Sequence, residues 1–292
     1  MIYIVIGIGI ALLVFVSVLW KLAVKGQTPK RVINVQKPAQ YYEEVSFQSG
    51  DAVVHGWYIP AKASDDEPKP LIIVVHGWAS AKSRVMRYVD PLHQAGYSLL
   101  LFDARGHGDS EGIKAPTIKS FRDDVKAAVR YAQRREDVAP GRIGLLGHSF
   151  GGMGSLLASR DKIGIKALVT DSMPARFRTI MEALLREYKM PYAPLGPLLT
   201  RMMFMRAGIS STELREELSL PAALEHRKSP VLLVHSRKDR YIPSEELDYL
   251  MRGLKNRRED VECLYVDTDG HRSSEKDSRF WKNVLSFYQK YV

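Results

Sequence analysis

The stretch Leu145-Leu146-Gly147-His148-Ser149-Phe150-Gly151-Gly152 constrains this chain more than any other. An apolar run (Ile143, Leu145, Leu146) leads into Gly-x-Ser-x-Gly, and helix formers follow. A strand that passes into a helix through a serine must turn sharply, leaving the serine oxygen exposed at the top of a sheet. Glycines stand at 147 and 151 because a side chain there would collide with the neighbouring strand or helix. The helix that begins after Ser149 points its positive end at any oxyanion formed nearby. The same five residues also occur in ordinary loops, so partners elsewhere in the chain decide their meaning.

Residues 71–75 form a continuous apolar run, the pattern of a strand buried on both faces. Residues 97–102, 143–146, 167–170 and 231–234 repeat it, and 261–266 closes the set. Two short β patterns, 45–48 and 53–59, precede them, with Pro60 and Asp65-Asp66-Glu67-Pro68 marking the exit. Helical stretches alternate with these runs at about 83–95, 117–135, 150–161, 244–257 and 275–290. The alternation predicts an α/β fold with a mostly parallel central sheet and helices on both faces. Ligands bind such sheets beyond the carboxyl ends of the strands.

One interval breaks the pattern. Residues 172–229 carry Pro174, Pro191, Pro194, Pro197 and Pro221, with helical pieces near 176–189, 198–207 and 211–218. A span this long predicts a cap insertion over the ligand-binding end. It is rich in methionine, at 173, 181, 190, 202, 203 and 205. These side chains either pack the cap onto the body or form an adaptable apolar pocket for an acyl chain, and the two are compatible.

Residues 2–20 hold no charge, and Ser17 is their one strongly polar side chain. About 20 apolar residues are what a membrane-spanning helix requires. No Lys or Arg precedes the segment and Leu19-Trp20-Lys21 is a poor cleavage context, which favours an uncleaved anchor over 1–24 rather than a signal peptide. Lys21, Lys25, Lys30, Arg31 and Lys37 follow with no acid until Glu43. The positive-inside rule then makes this a single-pass cell-membrane protein with its domain on the cytoplasmic side and Trp20 at the interface. Residues 25–40 read as a basic linker able to touch anionic lipid. The rest, 41–292, suits one large α/β domain.

The 292 residues are 45% apolar and 26% charged, ordinary for a globular protein. A single cysteine, Cys263, excludes an internal disulfide. It lies in a strand pattern, so a buried, inert thiol is expected. The 43 basic against 33 acidic residues leave a net charge of +10. Without zinc-finger spacing or an aromatic-basic motif, that excess does not predict a nucleic-acid partner. No His/Asp/Glu cluster suggests a metal, and no cofactor is expected.

A serine is a poor nucleophile without a base and a carboxylate to orient that base. The candidate base is His271, on the loop after the last strand, and the candidate acid is Asp239, just past the run 231–234. The chain order Ser, Asp, His is the one this elbow requires. His107, His148, His226 and His235 are alternative bases, with His148 expected to point into the body and His235 to be structural; Asp171 is a rival acid. Acyl transfer also needs two N–H donors for the oxyanion. Phe150 supplies one and Trp78, in His76-Gly77-Trp78-Ala79, supplies the other. Asp103-Ala104-Arg105-Gly106-His107-Gly108-Asp109-Ser110 lacks the Lys-Ser/Thr of a phosphate loop and is expected to be a turn held by an Asp103–Arg105 ion pair.

Together these residues resemble the α/β-hydrolase superfamily from about Val45 onward: His76-Gly77-Trp78, the 103–110 turn, Gly147-His148-Ser149-Phe150-Gly151, Asp239 before Tyr241-Ile242-Pro243, and Gly270-His271. Within it the chain is similar to the acylglycerol-lipase and serine-aminopeptidase-like branch, including single-pass anchored bacterial members. The resemblance implies Ser149 as nucleophile, Asp239 as acid, His271 as base and Trp78 and Phe150 as oxyanion donors. The dehalogenase and epoxide-hydrolase branches place aspartate where this chain has Ser149. An aminopeptidase would need acid in the cap to hold a substrate amine, and Glu182 and Glu187 are the candidates there. The expected substrate is a small acyl ester, or a lipid-derived one met at the membrane.

Overall fold

A computed structural model of the chain describes residues 1–62, 67–254 and 259–292. Asp65 and Asp66 of the expected exit turn, and 255–257 of an expected helix, lie outside the described residues. The chain opens with α1 (Ile2–Gly26), then β1 (Glu43–Ser49), β2 (Ala52–Ile59) and β3 (Lys69–Val75). A 3₁₀ turn over Lys82–Tyr88 runs into α2 (Val89–Gln94), followed by β4 (Ser98–Phe102) and α3 (Ile118–Ala132). Next come β5 (Val138–His148), α4 (Phe150–Ala158) and β6 (Ile165–Asp171). The cap is α5 (Phe177–Glu187), α6 (Leu195–Arg206), α7 (Ser211–Glu216) and α8 (Leu220–His226). It gives way to β7 (Val231–Lys238), α9 (Glu245–Arg252), β8 (Val261–Asp269) and α10 (Ser278–Tyr291).

The strands form one sheet in the order β1-β2-β4-β3-β5-β6-β7-β8. The β1–β2 and β2–β4 pairings are antiparallel and the other five are parallel. The continuous apolar runs have a simple cause in the pleat, which sends successive side chains to opposite faces. Leu71, Ile73 and Val75 enter the core under α3 and α4, whereas Ile72 and Val74 enter the core under α2 and α10. Both faces are covered, so both sets must be apolar.

Several elements differ from the sequence expectation. The helix expected at 83–95 is split into the 3₁₀ turn and α2, with Pro91 in the first turn of α2, where its missing N–H costs nothing. Helix α8 was not expected. Pro221 reads as a breaker, yet it sits at the helix start behind Ser219, whose hydroxyl accepts the Ala222 N–H. Cys263 is exposed, not buried, because β8 is an edge strand covered less completely than its neighbours. Partial desolvation and the Asp248 carboxylate still push its thiol up to about 11, which keeps it protonated at neutral pH.

Helix α1 is long and apolar enough to cross a membrane. Most of it stands clear of the body. Only Leu19 and Ala23 are buried, in a cluster with Met181, Leu185, Leu199 and Met203 of the cap. The basic segment after it is docked rather than loose. Buried Gln27 donates to the Met203 carbonyl at 2.9 Å and accepts from Arg206 at 3.2 Å. Buried Asn34 donates to Asp103 at 2.8 Å and Asp109 at 2.9 Å, and accepts the Ser83 N–H at 3.1 Å.

Candidate active site

Ser149 joins β5 to α4 with φ 53° and ψ −119°, a conformation that side chains rarely adopt. Tight packing holds it there. A Cβ on Gly147 would stand 2.6 Å from the Gly151 carbonyl oxygen, and one on Gly151 would strike the Val75 and His76 carbonyls. The Ser149 N–H donates to the Asp171 carbonyl at 2.8 Å, which pins the elbow to the end of β6.

His271 lies just beyond β8, after Gly270 at φ +93°. Its Nε2 is 2.9 Å from Ser149 Oγ and its Nδ1 is 2.7 Å from Asp239 Oδ2. The other carboxylate oxygen, Oδ1, accepts the N–H groups of Tyr241 at 2.9 Å and Ile242 at 3.0 Å. Burial alone would raise the Asp239 pKa, but the hydrogen bond and charge of His271 and these two N–H groups outweigh it and hold the group below its ordinary value. The carboxylate is therefore ionised at neutral pH, and Nδ1 of His271 carries the proton that faces it. The Tyr241 ring packs on the imidazole at 5.3 Å between centroids.

The other candidates have different places. Buried His148 faces Asp171, 3.4 Å away, and burial and then the Arg87 charge push its pKa down to about 3. Asp171 accepts the Tyr88 hydroxyl and does not bond His271. His235 donates to the Ile242 carbonyl at 2.8 Å, bracing the loop that carries Asp239. His226 ends α8, away from Ser149. His107 is buried between Trp78 and Phe121.

The 103–110 turn needs a correction. Asp103 does not pair with Arg105. It takes the buried Lys82 ammonium at 2.6 Å, together with Asn34 and the Lys82 and Asp109 N–H groups. Arg105 pairs instead with Asp124 on α3. The apolar spacing around 103 gave no sign of Lys82, which lies in another loop.

Gly77 and Trp78 follow β3 and come close to Ser149, since a Cβ on Gly77 would lie 3.1 Å from that of Ser149. Among the described residues, no carbonyl accepts the N–H of Trp78 or of Phe150. His76 fixes this loop, and the sequence reading gave it no role. Its Nδ1–H donates to the Gly77 carbonyl at 2.7 Å and its Nε2 accepts the Ala104 N–H at 3.0 Å. Burial lowers its pKa, in keeping with the neutral ring that this donor–acceptor pair demands. The signal was present in a histidine directly before Gly77-Trp78.

An apolar pocket opens above Ser149. Trp78 and Phe150 wall one side, and Phe177, Met181, Leu184 and Met203 of the cap wall the other. Gly26 and Gln27, at the end of α1, complete the wall. Met181 and Met203 thus line the pocket, whereas Met173 packs in the main core and Met205 is exposed. Glu182 pairs with Arg178 on the surface at 2.7 Å, and Glu187 stands at the mouth.

Strand order, the elbow between β5 and α4, and the three loops that meet over it are those of the α/β-hydrolase fold. Residues 66–184, less than half of the chain, match the family model described as serine aminopeptidase, S33. Among solved structures the fold is similar to the Pyrococcus furiosus esterase Pf2001, with a TM-score of 0.72 at 23% identity over 90% of this chain and 97% of that one. Among curated proteins it is 36% identical to the uncharacterised YfhR of Salmonella typhimurium over 143 residues, 44% of this chain and 48% of that protein. It is 27% identical to the uncharacterised YqkD of Bacillus subtilis over 226 residues, 75% of this chain and 69% of that protein. The match spans about half the length of the YfhR relatives.

Proposed function

We propose that the protein is a membrane-anchored serine hydrolase that cleaves carboxylic esters of acyl chains through an acyl-enzyme. One observation carries this reading: His271 stands within hydrogen-bond reach of both Ser149 and Asp239, and Ser149 lines an apolar pocket. His271 Nε2 takes the Ser149 proton while Oγ attacks the ester carbonyl. The carbonyl oxygen becomes an oxyanion held by the N–H groups of Trp78 and Phe150. His271 then gives the proton to the leaving alkoxide, and the alcohol departs. Water, deprotonated by the same ring, attacks the acyl-serine and releases the acid. Asp239 remains a carboxylate and keeps the imidazole in the useful tautomer.

The contacts of α1 favour an anchor over a removed signal. Cleavage near residue 20 would strip Leu19 from its cap cluster, and the wall formed by Gly26 and Gln27 depends on the helix that leads into them. Burying a leucine contributes about 2 kcal/mol.

The test is labelling with a fluorophosphonate, wild type beside Ser149→Ala, followed by hydrolysis of p-nitrophenyl esters of rising chain length. Labelling that is lost in the variant, with a chain-length optimum, is the expected result. Folded wild type that takes no label overturns the reading. The matched family model favours a second one, an aminopeptidase, supported by Glu187 at the mouth. It would cleave aminoacyl amides and leave simple esters nearly untouched.

A further inference from the structure

Ser149 sits where two unlike regions meet. On one side is the apolar pocket. On the other is a wide mouth, also bordered by His271, whose rim carries Lys25, Lys30, Arg272 and Glu187 with the rings of Tyr188 and Tyr241. That is three cations against one carboxylate. Lys25 Nζ lies 4.9 Å from the centre of the exposed Tyr188 ring. Among the described residues, no carboxylate forms an ion pair with Lys25, Lys30 or Arg272. Elsewhere on this chain exposed basic side chains commonly do find one, as Lys37 finds Glu44 and Arg279 finds Asp277.

Arg272 is the most telling of the three. It directly follows His271, and the guanidiniums of Arg87 and Arg84 repel its charge. Burial, then those two guanidiniums, push its pKa below the ordinary value. Arg87 is compensated by Glu275 at 3.4 Å, but Arg272 is not. Unpaired cations that line one mouth at the edge of a low-dielectric site repel one another, and an anion placed among them relieves that repulsion. Lys25 and Lys30 lie on either side of Gln27, whose side chain is docked against Met203 and Arg206.

We propose, on the basis of the ester-hydrolase reading, that the substrate is an anionic amphiphile. Its acyl chain lies in the pocket against Phe177, Met181 and Met203, and its leaving group carries a phosphate among Lys25, Lys30 and Arg272. The ester carbonyl then falls at Ser149, between the two. Cleavage breaks the acyl–oxygen or acyl–sulfur bond, and His271 protonates the departing atom. The phosphate itself takes no part in the chemistry. Such a phosphate belongs either to a single-chain phospholipid or to a thioester of a phosphorylated carrier.

The experiment uses the full chain in neutral detergent. Initial rates are measured on four acyl compounds of one chain length: a monoacylglycerol, its glycerol-phosphate counterpart, the coenzyme A thioester, and a choline ester as the cationic control. The expected order is anionic over neutral over cationic, with kcat/KM about ten-fold higher for the better anionic compound than for the neutral one, equivalent to about 1.4 kcal/mol. The gain should shrink toward unity as salt rises from about 0.05 to about 0.5 M, where screening is much shorter-ranged. In the double variant Lys30→Gln, Arg272→Gln the ratio should also approach unity. A faster glycerol-phosphate ester assigns the lipid source, and a faster thioester assigns the carrier. Equal kcat/KM for neutral and anionic esters at low salt, in protein that labels normally with fluorophosphonate, overturns this proposal and leaves the hydrolase standing. Folded protein that neither labels nor turns over any of the four overturns both. The salt series on wild type decides the matter if the double variant does not fold.

Discussion

Asp239 touches neither the pocket nor Ser149, yet the site depends on how it spends its two oxygens. One is held by the Tyr241 and Ile242 N–H groups and the other faces Nδ1 of His271. An amide in its place would offer that nitrogen a donor or an acceptor without charge, and the wrong tautomer would follow. Asp239→Asn should therefore lower kcat about 10⁴-fold while the fold survives. The check is steady-state kinetics beside circular dichroism, and a loss under ten-fold would remove Asp239 from the proposed chemistry. His76 acts one step further out by tying the Gly77 carbonyl to the Ala104 N–H. It touches no reacting atom, and its effect is on where the Trp78 N–H points.

At the scale of elements, the helix ends count for more than the helix middles. Helix α1 presents most of its length to its surroundings, but its last turn forms part of the pocket beside Met203 and Leu184. A Cβ on Gly26 would stand 2.7 Å from Met203 Cε, the mobile tip of a flexible side chain, so a small residue is accommodated by a modest shift. A larger one must enter the pocket. Gly26→Leu should shift the chain-length optimum toward shorter esters and lower kcat/KM on the longest about ten-fold or more, since each lost methylene contact is worth about 0.8 kcal/mol. Short esters should be affected least. An unchanged optimum, read from the p-nitrophenyl ester series, would mean that acyl chains take another route.

Over the whole molecule, charge and burial set the response to acid. His148 and His107 are buried, and burial, aided by Arg87 and His76 respectively, pushes each down to about 3. In the unfolded chain a histidine titrates near 6.5. Between those values the unfolded chain binds more protons than the folded one, so stability is complete above about pH 6.5 and declines as the pH falls toward 3. Each ring contributes a slope of up to about 1.4 kcal/mol per pH unit. The midpoint of urea denaturation should therefore fall steadily from pH 6.5 downward, well above the range where carboxylates protonate. A midpoint that stays level from pH 7 to pH 5 would show that these rings accept protons in place.

The succession of eight strand patterns, the parallel-sheet class and the glycine-flanked elbow at Ser149 were legible in the chain, as were Asp239 and His271 as candidates to face that serine. Those features are local: a pleat buried on both faces demands a continuous apolar run, and a sharp strand-to-helix turn demands glycine at fixed offsets. Not legible there were the partner of Asp103, the exposure of Cys263 on an edge strand, the burial of Asn34 and Gln27, and the place of the end of α1 in the pocket wall. Each depends on which surfaces come together across many residues. Lys82 and Asp103, or Gln27 and Met203, carry no mark in their own neighbourhoods of the partner that burial obliges them to find.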